Sequence, residues 1–127
     1  MQEMHLFEYA VIRVVPRVER EEFLNVGVAL YCPGQRFLQS VFVLDETRLR
    51  VFSETLNLSE LRQRLEAFER VCTGGANAGP LGQLPPAGRF RWLIAPRSTV
   101  LQTSPVHTGL CVDAGETLAR LFAQLVE

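Results

Sequence analysis

Strand-like segments occupy much of the first half of the chain and recur near its end. β-Branched and aromatic residues dominate these segments, several of them alternate apolar with polar positions, and both features are typical of strands. The predicted strands cover residues 6–15, 26–32, 36–44, 89–95, 100–103 and 106–112.

Three other segments repeat apolar residues every three or four positions, which is typical of helices with one buried face. We expect these helices at about 46–55, 58–73 and 114–126. Each segment follows a residue whose side chain can accept a hydrogen bond from the first helical turn. These predicted N-caps are Asp45, Asn57 and Asp113.

The connections carry their own signals. Pro33 and Gly34 stand where the central residues of a type II turn belong, so we expect a hairpin between the second and third strands. Gly27, inside the second strand, predicts a bulge or a close backbone approach. Residues 73–88 hold five of the nine glycines and three of the seven prolines, which predicts a flexible loop.

This order of elements predicts a single α+β domain over residues 1–127. We expect a mainly antiparallel sheet with the helices packed on one face.

Composition narrows the class of protein. The chain has 127 residues, of which 47% are hydrophobic and 21% charged, and this balance excludes an intrinsically disordered protein. It contains no apolar run of about 18–20 residues, so we expect no membrane span. Residues 1–5 lack the basic and apolar regions of a signal peptide, and we expect a cytoplasmic location.

Cys32, Cys72 and Cys111 form no C-x-x-C pair and are expected to be buried and reduced.

The balance of charges argues against nucleic acid as a partner. The 13 basic and 14 acidic residues nearly cancel, whereas proteins that bind duplex DNA through many phosphates carry a basic excess. We therefore expect no bulk nucleic-acid binding. All 13 basic residues are arginine, which fits either recognition of carboxylates and phosphates or a genome rich in arginine codons.

The most unusual stretch in the chain is residues 97–109, a largely polar run between two apolar segments. Its hydroxyl, amide, imidazole and guanidinium groups suit an anion, although serine and threonine residues also satisfy turns and favour strands. Alternation of Thr108, Leu110 and Val112 predicts that these side chains face inwards and that His107 faces outwards. The predicted ligand-binding patch consists of Asn25, Arg91, Arg97, Ser98, Thr99, Gln102 and His107.

Signatures of catalysis are absent from the sequence. His107 and Cys111 would lie about 13 Å apart on a strand, too far to share one metal, and no spacing typical of zinc sites occurs. No phosphate-binding glycine loop and no nucleophile motif is present. We predict no metal and no cofactor, and the sequence leaves enzymatic activity open.

Four segments together carry a family resemblance. They are residues 9–16 (YAVIRVVP), 22–28 (EFLNVGV), 90–99 (FRWLIAPRST) and 104–109 (SPVHTG). With these segments the chain resembles the small bacterial proteins grouped as domain of unknown function 3037, over nearly its whole length. The resemblance implies no catalytic residues. It does imply a possible partner, a HipA-like kinase, because members of the family are often encoded beside such kinases.

Two hypotheses for function follow. The first is a non-enzymatic binding or regulatory module that acts with a protein partner, with a homo-oligomer as a further possibility. The alternative is an enzyme or sensor that binds a phosphorylated or other anionic ligand at the predicted patch.

Overall fold

The computed structural model describes residues 3–17, 22–97 and 99–127. Its elements, in chain order, are β1 (His5–Val14), β2 (Leu24–Cys32), β3 (Phe37–Phe42), α1 (Glu46–Phe52), α2 (Leu58–Thr73), α3 (Pro86–Leu93), β4 (Leu101–Thr103), β5 (His107–Cys111) and α4 (Ala114–Leu125). The predicted single α+β domain is confirmed.

All the strand pairs within these ranges are antiparallel. β3, β2 and β1 lie side by side, and β4 and β5 both pair with the free edge of β1. Residues Ile12–Val14 of β1 pair with β4, and His5–Tyr9 pair with β5. β1 is therefore the central strand and is bonded along both of its edges.

Helices cover both faces of this sheet rather than the one face predicted. Leu30 and Cys32 of β2 pack with Leu118 of α4. Tyr31, which points to the opposite face, packs with residues of α2 and α3. The physical reason is that β1 and β2 are apolar on alternate and intervening positions alike, so each face needs a cover.

The three predicted N-caps are confirmed. The side chains of Asp45, Asn57 and Asp113 accept hydrogen bonds from the backbone amides of Arg48, Glu60 and Glu116, at 3.0–3.1 Å. A local rule that needs only four residues therefore placed the start of α1, α2 and α4.

The strand predicted over residues 89–95 is wrong, because these residues belong to α3 and the turn after it. Pro86 stands in the first helical turn, where its missing amide hydrogen costs nothing. Arg89, Phe90 and Leu93 are the buried residues of α3, and this is a helical spacing. The alternation of Phe90, Trp92 and Ile94 is therefore incidental.

The predicted loop over 73–88 contains short 3₁₀ turns at Ala76–Gln83, and its last residues begin α3. Leu81 packs against the cluster that includes Val71 and Phe90. The flexibility of this segment stays a prediction.

The hairpin between β2 and β3 is confirmed, although a 3₁₀ turn at Pro33–Gln35 replaces the predicted type II turn. The close approach at Gly27 is also confirmed: a Cβ atom there would lie 2.5 Å from the carbonyl oxygen of Val41. In the register of β1 with β2, Ile12 pairs with Gly27 and Arg13 with Asn25, so a bulge lies beside this glycine.

Candidate functional site

A groove of about 400 Å³ lies between α2, the 3₁₀ turns, the end of α3, Arg97, Thr99 and residues 101–103. Its apolar lining consists of Ala67, Phe68, Val71, Ala78, Leu81, Trp92, Leu93 and Leu101. We call this feature the arginine-rimmed groove, because Arg64, Arg70 and Arg97 also line it. Its volume is within the usual range of ligand pockets.

The charge around the groove is one-sided. No aspartate or glutamate is among its lining residues in the described part of the chain. Arg64 forms an ion pair with Glu60 at 2.8 Å. Because both side chains are exposed to water, the attraction between the two charges is weak. Arg70 is exposed and has no hydrogen bond or ion pair from its side chain to any described residue. The groove therefore combines apolar walls with three arginines, of which Arg70 has no ion pair among the described residues.

Arg97 closes the end of α3. Its guanidinium donates to the carbonyl oxygens of Trp92 at 2.6 Å, Leu93 at 2.9 Å and Ala95 at 3.2 Å. It also lies over the Trp92 ring, 4.5 Å from the centroid. Carbonyl groups at the end of a helix need donors, and Arg97 supplies them. Much of the hydrogen-bonding capacity of Arg97 is therefore committed to the backbone.

Thr99 and Gln102 also lie at the groove, but their polar atoms serve the local backbone. The Thr99 hydroxyl donates to the carbonyl oxygen of Leu101 at 2.7 Å. The Gln102 amide donates to the carbonyl oxygen of Thr99 at 2.9 Å. These two hydrogen bonds satisfy backbone groups of the turn, which is the structural alternative expected for the polar residues of this segment.

The remaining residues of the predicted patch lie elsewhere. Arg91 makes two 2.9 Å hydrogen bonds to the carboxylate of Glu8, and the hydrogen bond to Glu8 raises the pKa of Arg91. Asn25 donates to the carbonyl oxygen of Leu125, at the end of α4. Ser98 is outside the described residues.

His107 is exposed, and its ring lies 5.2 Å from that of Tyr9, which packs against the α4 side of the sheet. The predicted inward face of β5 is wrong: Cys111 is buried, whereas Leu110 is 61% exposed. The reason is that Cys111 packs into the cluster that includes Leu118 of α4, whereas Leu110, one position earlier on the strand, points to the opposite face.

The structure thus brings Arg97, Thr99 and Gln102 together and separates them from Asn25, Arg91 and His107. Their role in ligand binding stays a prediction. Phe68, Arg70 and Trp92 are not predictable from the sequence as site residues, because they come together only through the packing of α2 against α3. In the sequence, the available signal for the groove is Leu81, an apolar residue within a segment rich in glycine and proline.

The described residues offer few side chains for metal binding or catalysis. Within the described ranges, no three histidine, cysteine, aspartate or glutamate residues cluster closely enough to hold a metal ion. The groove lining of these ranges has no histidine or cysteine, and its hydroxyl groups belong to Thr99 and Thr103. In the same ranges, no helix is long and apolar enough to cross a membrane.

Comparison with known proteins identifies the family. The model of a family described as "Protein of unknown function (DUF3037)" matches residues 9–126, so the chain belongs to this family. No curated protein and no solved structure matches the chain.

Proposed function

We propose that this DUF3037 protein is a non-enzymatic binding module and that the arginine-rimmed groove receives a segment of a partner protein. The observation that carries the proposal is an apolar groove with three arginines and no acidic residue in its described lining. Apolar walls bury the hydrophobic side chains of a partner, and arginine is enriched at the centres of protein interfaces.

The charge of the groove selects the occupant. A segment with two or three large apolar side chains flanked by aspartate or glutamate would bury the former between Phe68 and Leu93 and place the latter near Arg70. Arg70 is the strongest candidate to meet a carboxylate, because its guanidinium has no partner among the described residues. A HipA-like kinase, the partner that the family resemblance implies, is the first protein to test.

The alternative, an enzyme or sensor for a phosphorylated or other anionic ligand at the predicted patch, has less support. Its central residues, Arg97, Thr99 and Gln102, already donate to backbone carbonyl groups. An anion there would have to displace these hydrogen bonds or use the donors that remain.

The test uses a pair of charge reversals on one helix. Arg70→Glu changes the groove, and Arg62→Glu is the matched control, since Arg62 is also an exposed residue of α2 but does not line the groove. Tagged forms of the wild type and both variants are purified from the native host, and each recovered protein is then titrated in purified form by calorimetry.

We expect a partner that binds the wild type and the Arg62→Glu variant alike and binds the Arg70→Glu variant about tenfold more weakly, which is roughly 1.4 kcal/mol of binding free energy. Binding should also weaken with added salt, since it depends on an exposed charge. Equal binding by all three forms, or reproducible recovery without a partner, contradicts the proposal.

A further inference from the structure

A second pocket of about 390 Å³ lies on the other side of α2, between β3, the end of α2 and the start of α3. It shares no lining residue with the arginine-rimmed groove. Its polar lining includes Arg36, Ser40, Glu69, Thr73 and Arg89. We call it the Arg89 pocket, because this arginine is its buried polar centre.

Arg89 is an unusual residue to find in a core. It is 8% exposed and forms no ion pair with a described carboxylate. Its Nη1 atom donates to the carbonyl oxygens of Val71 and Cys72, both at the long distance of 3.4 Å. A buried charge is unfavourable unless it is paired and hydrogen-bonded, and these two contacts leave Arg89 only partly satisfied.

The unsatisfied side of Arg89 has the geometry of an anion receptor. Its Nε atom is buried without a hydrogen-bond partner, and no described residue accepts a hydrogen bond from Nη2. The Nε–H and Nη2–H bonds of a guanidinium point in nearly parallel directions, so this edge can donate to two oxygens of one phosphate or carboxylate.

Two other residues of the pocket also suit an anion. The hydroxyl group of Ser40 is also buried; it lies beside the Cys72 thiol, whose pKa burial raises and Ser40 lowers to a smaller extent, and it makes no hydrogen bond to a described oxygen or nitrogen atom. Arg36 stands at the rim with an exposed side chain that contacts no described carboxylate. Glu69 is the acidic residue of the lining, so the two arginines leave the pocket with one net positive charge.

We infer that the Arg89 pocket binds the phosphate group of a small molecule. The Nε–Nη2 edge of Arg89 donates to two phosphate oxygens, the Ser40 hydroxyl donates to one of them, and Arg36 at the rim offsets the charge of Glu69. Phosphate fits better than a carboxylate because it offers more acceptor atoms to the donors of the pocket. The volume admits a phosphorylated metabolite rather than the free ion alone.

The experiment titrates inorganic phosphate, glycerol phosphate and acetate into the full chain by calorimetry and follows the Arg89 Nε–H resonance by NMR. We expect glycerol phosphate to bind more tightly than inorganic phosphate, acetate to bind most weakly, and the Arg89 resonance to shift. Absence of phosphate binding at millimolar concentration, or tighter binding of acetate, overturns the inference.

Variants locate the site. Arg89→Lys keeps the charge but loses the two-pronged edge, and should weaken glycerol phosphate binding by about tenfold or more. Ser40→Ala and Arg36→Gln should each weaken it by about three- to tenfold, and they keep the test valid if Arg89→Lys fails to fold. Arg62→Gln is the control and should bind as the wild type does. Unchanged binding by Ser40→Ala and Arg36→Gln, or an unmoved Arg89 resonance, shows an adventitious surface contact and overturns the inference.

Discussion

Gly74 and Gly75, which follow α2 directly, both have φ angles in the region that favours glycine, at 79° and 90°. Their surroundings differ. A Cβ atom on Gly74 would overlap the guanidinium of Arg89, whereas a Cβ atom on Gly75 would meet nothing within 4 Å. Gly74 therefore makes room for the buried arginine, and Gly75 only turns the chain.

Substitution of the two glycines separates these effects. We expect Gly75→Ala to lower the free energy of unfolding by about 1–2 kcal/mol, because alanine is strained at a positive φ. Gly74→Ala should cost a further 1–3 kcal/mol or so, because the added methyl group displaces Arg89 from its niche. Urea denaturation followed by circular dichroism gives both values. Equal losses would mean that Arg89 moves aside freely.

At the scale of elements, α4 is fixed to the sheet by a residue far from it in sequence. Gln35, in the turn between β2 and β3, accepts a hydrogen bond from the backbone amide of Ala114 at 2.8 Å and donates to the carbonyl oxygen of Val112. Asp113 accepts from Glu116 in the same helical turn. The start of α4 thus has a local cap and a tertiary cap together.

Removal of the tertiary cap should be measurable. Gln35→Ala is expected to lower the free energy of unfolding by about 1 kcal/mol, the usual effect of losing a helix cap. Gln63→Ala is the matched control, since Gln63 is exposed on α2 and makes no side-chain hydrogen bond to a described residue; it should change stability by less than about 0.5 kcal/mol. If the two variants are equally stable, Gln35 does not hold α4.

Elements differ in how far the sequence predicts them. α1, α2 and α4 follow from their caps and apolar spacing, because both signals act within a few residues. α3 does not, since Phe90, Trp92 and Ile94 also alternate, and only contact with α2 selects the helix. The site is harder still to predict. Arg70 and Trp92 are 22 positions apart on different helices, and no local rule brings them to one groove.

For the molecule as a whole, the lack of lysine simplifies the alkaline pH range. The side chains that titrate near pH 9–11 are those of cysteine and tyrosine. Burial raises the pKa of Cys72 from 9.0 to about 11, with a smaller opposing effect from Ser40 and Arg89. Burial also raises the pKa of Cys111.

Stability should therefore fall as the pH rises from 9 towards 11. In this range the unfolded chain has released the Cys72 proton and the folded chain still holds it, so unfolding becomes more favourable with pH. The loss from Cys72 is about 1.4 kcal/mol at pH 10. Urea denaturation at pH 7–10 should show a shallower decline for Cys72→Ala than for the wild type, whatever the offset at pH 7. Parallel declines would show that Cys72 ionises normally.

The arginine-rimmed groove has an optical consequence. Trp92 is the one tryptophan in the sequence, and it stands in the groove wall, 43% exposed and beneath the guanidinium of Arg97. The fluorescence of an indole depends on the water and charge around its ring. An occupant of the groove would remove that water and change the colour and intensity of the emission. Trp92 does not line the Arg89 pocket, so a phosphate bound there would leave the emission nearly unchanged. Trp92 emission therefore distinguishes a ligand in the arginine-rimmed groove from one in the Arg89 pocket.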